Sequence, residues 1–210
     1  MKKLGIIGAG RFGRLASNLA RDTAEFSVIM LFDDVVEIGT EGVVGKIGDI
    51  EKYARDGQLT HLSIAVGYKH FHFREELFER FRNVLPIATL VHPTAFVSAE
   101  AKLGEGVSIY SMVNVEMGAV VDHNATIFNQ SSITHDAHIG RHSFLSVAVG
   151  MGGGVDFGAR TFVGVNATLV NDISVGDDSI ICGGTFLTKS IPENSCVIGN
   201  PYRQIDRVFL

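Results

Sequence analysis

The sequence predicts two folds in succession: a small parallel α/β sheet over residues 1–91 and an all-β parallel helix of hexapeptide repeats over residues 92–198, with a tail over 199–210. Two observations carry this. From Val97 to Leu187 a large apolar residue occupies every sixth position, as in Ile109, Val115, Val121, Ile127, Ile133 and Ile139, and a small or β-branched residue lies two before each. Ahead of that ladder, the apolar run Leu4 to Ile7 leads into Gly8-Ala9-Gly10-Arg11-Phe12-Gly13, a literal G-x-G-x-x-G at the start of a helical pattern.

A six-residue period is neither the 3.6 of a helix nor the alternation of an ordinary strand. It is the signature of a prism in which each hexapeptide forms one face, short strand then corner, with the aliphatic and its small partner pointing inward. Three faces close a coil, so residues about 18 apart stack at the strand spacing of about 4.7–4.9 Å. The ladder supplies roughly five coils. Frequent glycines just after the aliphatic, such as Gly104, Gly140, Gly152, Gly158, Gly164 and Gly176, suit the corners. End coils expose strand edges, which predicts capping and side-by-side oligomers.

The first ninety residues read as alternating strands and helices. Strand Leu4–Ile7 is followed by a helix to about Arg21, with Leu15, Leu19 and Ala20 inward. Strand Phe26–Phe32 ends in Asp33-Asp34, about twenty residues after the last glycine, where a Rossmann-like fold keeps its ribose-binding acid. A Gly-rich connection leads to a short helix capped by Asp49 and ending at Gly57. Strand Leu62–Val66, a helix from Tyr68 to Asn83 and strand Leu85–Val91 complete a small parallel sheet, whose ligand crevice lies at the strand C-terminal ends.

Composition narrows the function. With 46% hydrophobic residues the 210-residue chain is globular throughout, and a net charge of −5 without a Lys/Arg cluster argues against nucleic acid or an anionic membrane as partner. The apolar run after Lys2-Lys3 stops at Gly8, too short for a signal peptide, and no stretch reaches the length of a membrane span. Two cysteines, Cys182 and Cys196, form no spaced motif, so reduced thiols and a cytoplasmic location are expected.

Chemistry concentrates at two places. The Gly-rich turn offers backbone N–H groups at a helix N-terminus, a ready anion site, and with Asp33-Asp34 it points to a nucleotide. Of eight histidines, His135 stands out. It falls two after the inward Ile133 and so projects at a corner, Asp136 follows it, and one coil on lies Gly153, within Gly150-Met151-Gly152-Gly153-Gly154. Missing side chains there leave room for a ligand. His123, His138 and His142 read as solvated corner residues. No His-x4-His pair is present, so no zinc site is expected.

The Gly-rich turn with Asp33-Asp34, the prism bearing His135-Asp136 and the closing Gly199-Asn200-Pro201 together resemble the bacterial sugar acyltransferases of the sialic acid O-acetyltransferase-like family. The resemblance spans nearly the whole chain and implies a left-handed β-helix, a homotrimer and acyl transfer from acetyl-CoA to an amino group on a nucleotide-linked sugar. By position it makes His135 the catalytic base and Asp136 its support. It assigns nucleotide-sugar contacts to Gly10, Arg11, Phe12, Asp33 and Asp34, with Gly67 and Tyr68 bordering the crevice. CoA contacts fall on Gly153, Val165 and Gly183. Phe144 stands at that site where some members have a second histidine, nine residues after the catalytic one. A histidine suits the task because an imidazole titrates near neutral pH and can take a proton from the attacking amine. Sugar O-acetylation by the same apparatus, or a non-catalytic nucleotide-binding scaffold, are the alternatives.

Overall fold

The computed structural model describes residues 1–206, and the chain divides into two compact units, Met1–Val91 and a second beginning at His92. In the first unit the strands are β1 (Lys2–Ile7), β2 (Phe26–Phe32), β3 (Val43–Gly45) and β4 (His61–Ile64). They pair in the order β3-β2-β1-β4, all parallel. Helices α1 (Arg11–Asp22), α2 (Ile50–Arg55) and α3 (Phe71–Phe81) connect them. Ile7, Phe32, Ile50, Leu62, Phe78 and Phe81 form the core, each worth about 1.5–3 kcal/mol when fully buried.

Four local expectations change. Strand β3 lies inside the Gly-rich connection, where three residues are too short to show a pattern; Asp33 N–H and Gly45 C=O pair across it at 3.2 Å. Leu85–Val91 does not run as one strand: Ile87 makes a single bridge to Leu62, which Pro86, lacking an N–H, cannot extend toward the N-terminus, and Leu90–Val91 forms a separate two-residue strand. Asp49 precedes α2 without capping it, since its Oδ2 instead accepts the Lys46 N–H at 2.8 Å and closes a 3-10 turn. Leu15 is 44% exposed, and the inner face of α1 is built by Gly13, Ala16, Ser17, Leu19 and Ala20.

The second unit is a left-handed parallel β-helix. Two-residue strands recur every six residues from Phe96–Val97 to Phe186–Leu187, and strand partners lie one coil apart, as in Ser132 with Asn114 and Gly150. The inward aliphatics from Ile109 to Ile139 are fully buried. Their small partners leave room for hydroxyl groups that bind the next coil, such as Ser143 Oγ, which accepts the Thr161 N–H at 3.0 Å. At each corner from Gly106 to Gly184, every sixth residue has a positive φ, whether glycine or, as at Asn124, Asp136 and Asp172, a side chain that tolerates the left-handed region. Past the last full coil, Cys196–Ile198 pairs with the strand Ile180–Ile181, and Arg203–Gln204 of the tail turns back antiparallel onto Val197–Ile198. The remainder of the expected tail, residues 207–210, lies outside the described residues.

Candidate active site

In the first unit, glycines allow the turn after β1 to close. Gly8 has φ +106°, and a Cβ there would stand 2.7 Å from the Ala65 carbonyl oxygen, so no side chain fits. Gly10 opens α1, followed by exposed Arg11 and half-buried Phe12. Asp33 and Asp34 carry a structural duty the sequence did not reveal. Both oxygens of Asp33 accept backbone N–H groups, Oδ2 from Ala9 at 2.7 Å and Oδ1 from Val35 and Val36 at 2.8 and 2.9 Å. Burial would raise this carboxyl's pKa, but those bonds and the Lys46 charge hold it below the ordinary aspartate value. Asp34 Oδ1 accepts the Ile47 N–H at 2.9 Å. The acids therefore brace the rim of the crevice, and Asp33 ties that rim to the Gly-rich turn.

Arg74 links Phe12 to the Gly67-Tyr68 segment, a connection the sequence reading missed. It is 1% exposed, donates from Nη1 to the carbonyls of Ile64 and Val66 at 3.0 and 2.9 Å, and sets its guanidinium 5.9 Å from the Phe12 ring centre. Gly67 and Tyr68 follow directly, entering the 3-10 turn Tyr68–His70. In sequence, Arg74 was one polar residue among several on an amphipathic helix.

In the prism, the strand Ser132–Ile133 delivers His135 to the corner after it. The His135 side chain is 56% exposed, and its Nδ1 lies 3.1 Å from Asp136 Oδ2. With the Nδ1 proton given to that carboxylate, Nε2 is the basic nitrogen. The ring lies over Gly153: a Cβ on that glycine would stand 2.5 Å from Nε2 and 3.0 Å from Nδ1. The space expected beside Gly153 is thus filled by the imidazole itself, whereas a Cβ at Gly150 would meet nothing within 4 Å. Three glycine N–H groups of this run are spent on neighbouring coils, Gly150 to Ala167, Gly152 to Leu169 and Gly154 to His135, whereas among the described residues the Gly153 N–H makes no such backbone bond.

Glu116 was also missed. Its Oε2 accepts the His135 backbone N–H at 3.0 Å and its Oε1 accepts Asn114 Nδ2 at 3.1 Å. No short motif joins residues one coil apart, though the 18-residue stacking rule places Glu116 and Met117 above Thr134 and His135.

Val165 and Gly183 stack as expected, with the Gly184 N–H donating to the Val165 carbonyl at 2.8 Å. Their corner leads into the face made by the strands Ser132–Ile133, Gly150–Met151 and Thr168–Leu169, and the His135 corner leaves the same face. Phe144 is not brought to His135. It lies on the face before the Val165 corner, in an aromatic ladder 5.1 Å from the Phe128 ring and 6.0 Å from that of Phe162.

The other prism histidines depart from a solvated reading. His142 is fully buried, with Nδ1 3.1 Å from Asn124 Nδ2. His123 Nδ1 accepts the Glu105 N–H at 2.9 Å. His138 bridges two coils, with Nδ1 2.7 Å from Asp156 and Nε2 2.9 Å from Asp122. Burial lowers its pKa, but the two aspartates outweigh that and hold it above the ordinary imidazole value. Burial and the adjacent Cys196 push the Cys182 thiol up to about 11, so it offers no thiolate near neutral pH.

A hexapeptide prism with a His-Asp corner, joined to a small α/β unit with a Gly-rich turn, defines a hexapeptide-repeat acyltransferase. Residues 3–81 match the PglD N-terminal domain family. Together with the prism that follows, this match makes the chain similar to the bacterial sugar acyltransferases of the sialic acid O-acetyltransferase-like family. It is 26% identical, with a TM-score of 0.91, to a histidine-to-alanine mutant of GDP-perosamine N-acetyl transferase from Caulobacter crescentus in complex with CoA and GDP-perosamine, covering 98% of this chain and 97% of that one. The acetyltransferase domain of PglB from Neisseria gonorrhoeae, 24% identical with a TM-score of 0.91 over 98% and 100% of the two chains, shares the fold. Among curated relatives, the UDP-3-O-acylglucosamine N-acyltransferase of Bordetella pertussis is 29% identical over 96 residues, 44% of this chain and 26% of that protein. The chain thus spans about a quarter of that relative's length. Among the described residues, no helix is long and apolar enough to cross a membrane.

Proposed function

We propose that the protein transfers an acetyl group from acetyl-CoA to the amino group of a nucleotide-linked deoxysugar, with His135 as general base. The observation that carries the reading is the His135-Asp136 pair, whose Nδ1 to Oδ2 contact of 3.1 Å leaves Nε2 as proton acceptor at an exposed corner. The likeness over nearly full length to an enzyme solved with CoA and GDP-perosamine supports both substrates.

The nucleophile is the neutral sugar amine, since an ammonium has no lone pair and must first lose its extra proton to solvent. Nε2 takes one of the two protons of the neutral amine while the nitrogen attacks the thioester carbonyl, and Asp136 stabilises the imidazolium that results. The Gly153 N–H is the donor for the developing oxyanion. Collapse expels the CoA thiolate, and the proton held on His135 converts it to the thiol, so the base is regenerated. Neither an acyl-enzyme nor Cys182 takes part. The nucleotide lies against Gly10, Arg11 and Phe12, with Asp33 and Asp34 holding the rim and Gly67 and Tyr68 bordering it. CoA lies along Val165 and Gly183. The prisms associate as a trimer, which shelters the exposed His135 corner, and the reaction takes place in the cytoplasm.

Acetyl-CoA consumption measured against a panel of UDP-, GDP- and dTDP-linked amino sugars, with the matching hydroxyl sugars alongside, tests this. Turnover confined to amino sugars is expected. Turnover on hydroxyl sugars alone, or on none, overturns the reading.

A further inference from the structure

We infer that Glu116 is the positioning residue for the catalytic imidazole, an inference that rests on His135 being the base. His135 is 56% exposed in its side chain, so packing does not hold it. Its aim depends on hydrogen bonds at the corner. The turn itself closes weakly, with the Ala137 N–H 3.3 Å from the Thr134 carbonyl. The Glu116 carboxylate takes the His135 N–H through one oxygen and is itself held by Asn114 through the other.

Two equivalent corners are anchored differently. Glu105 and Ala159, like His135, lie two residues after an inward apolar residue. Their N–H groups are taken by the side chain 18 residues later, His123 Nδ1 at 2.9 Å and Asp177 Oδ1 at 2.9 Å. At His135 the residue 18 later is Gly153, which is bare because the imidazole lies across it. The coil after His135 therefore has no side chain to anchor the corner, and Glu116 anchors it from the coil before. The Asp136 N–H to Met117 and the Gly154 N–H to His135 remain when Glu116 is removed, so the prism stays closed while the corner loosens.

The test compares Glu116→Ala and Glu116→Gln in the wild-type and His135→Ala backgrounds, with kcat and both KM values read for each and Tm as a control. Misplacing a catalytic group by up to about 1 Å can cost a factor of about 10². Glu116→Ala should therefore lower kcat about 10- to 100-fold with both KM values within about twofold. Glu116→Gln, whose carbonyl can still accept the N–H, should recover to within about threefold of wild type. In the His135→Ala background Glu116→Ala should cost nothing more, since a residue acting through the imidazole has nothing left to act on. Asn114→Ala, which frees the carboxylate without removing it, should show a smaller loss in the same direction. Wild-type turnover in Glu116→Ala, equal losses in the Ala and Gln variants, or a full additional loss in the His135→Ala background would overturn the role of Glu116 while leaving His135 as base. Near wild-type turnover in His135→Ala would overturn both.

Discussion

Gly153→Ala isolates the role of a single missing side chain. The backbone at Gly153 is not in the left-handed region, so alanine is tolerated there and the prism should fold as before. The new Cβ, however, would stand 2.5 Å from His135 Nε2, roughly an ångström inside ordinary contact. The ring must swing away, because the other partner is main chain locked by the Gly152 and Gly154 ladder bonds. A forced rotation of about 30° costs about 0.5–1.5 kcal/mol, but the larger consequence is geometric: a displacement of about 1 Å can lower turnover about 10²-fold. Steady-state assays should show kcat reduced about 10- to 100-fold and the KM for the nucleotide sugar within about threefold. Tm should stay within about 3 °C of wild type, since the imidazole is largely exposed. A Gly153→Ala enzyme with wild-type kcat would show that the ring does not need its place over residue 153.

Two further perturbations test other parts of the structure. His138, whose pKa is raised in the fold by Asp122 and Asp156, contributes stability that is fully present below its unfolded pKa and is lost as pH rises through the folded value. Tm should therefore fall from acid toward alkaline pH, and His138→Gln should flatten that slope; an unchanged slope would refute the bridge. Asp33→Asn keeps one acceptor oxygen where two are used, so it should loosen the Gly-rich turn, lower stability by about 1–2 kcal/mol and raise the KM for the nucleotide sugar but not for acetyl-CoA. Because the Asp33 pKa is depressed, its contribution should be present above the unfolded value and fade as pH falls through the folded one. Equal rises in both KM values would count against a nucleotide site at this turn.

The prism was legible because its period is a direct consequence of geometry: each inward position must be apolar, and stacking repeats it every coil. The same rule places Gly153 beneath His135 and Gly183 beneath Val165 from sequence spacing alone. What escaped were features that depend on side-chain direction or on single hydrogen bonds. Leu15 looked inward by helical spacing yet is exposed, and β3 was three residues without a pattern. Asp33 and Asp34 sat at the position of ribose-binding acids, but a residue type does not reveal which backbone N–H groups a folded loop presents to it. His142 has the polarity of a surface residue and is buried because Asn124, one coil before, meets its ring. Glu116 is 19 residues from His135, and only the stacking of successive coils brings its carboxylate to the His135 N–H.

The central claim is that His135 accepts a proton in the transition state, and the kcat of a folded His135→Ala protein tests it most directly. General-base catalysis is worth about 10²–10⁴-fold, so kcat should fall by that factor with both KM values little changed, and His135→Asn should do no better, since an amide cannot take the proton. A His135→Ala enzyme that keeps more than about a tenth of wild-type kcat would contradict the mechanism.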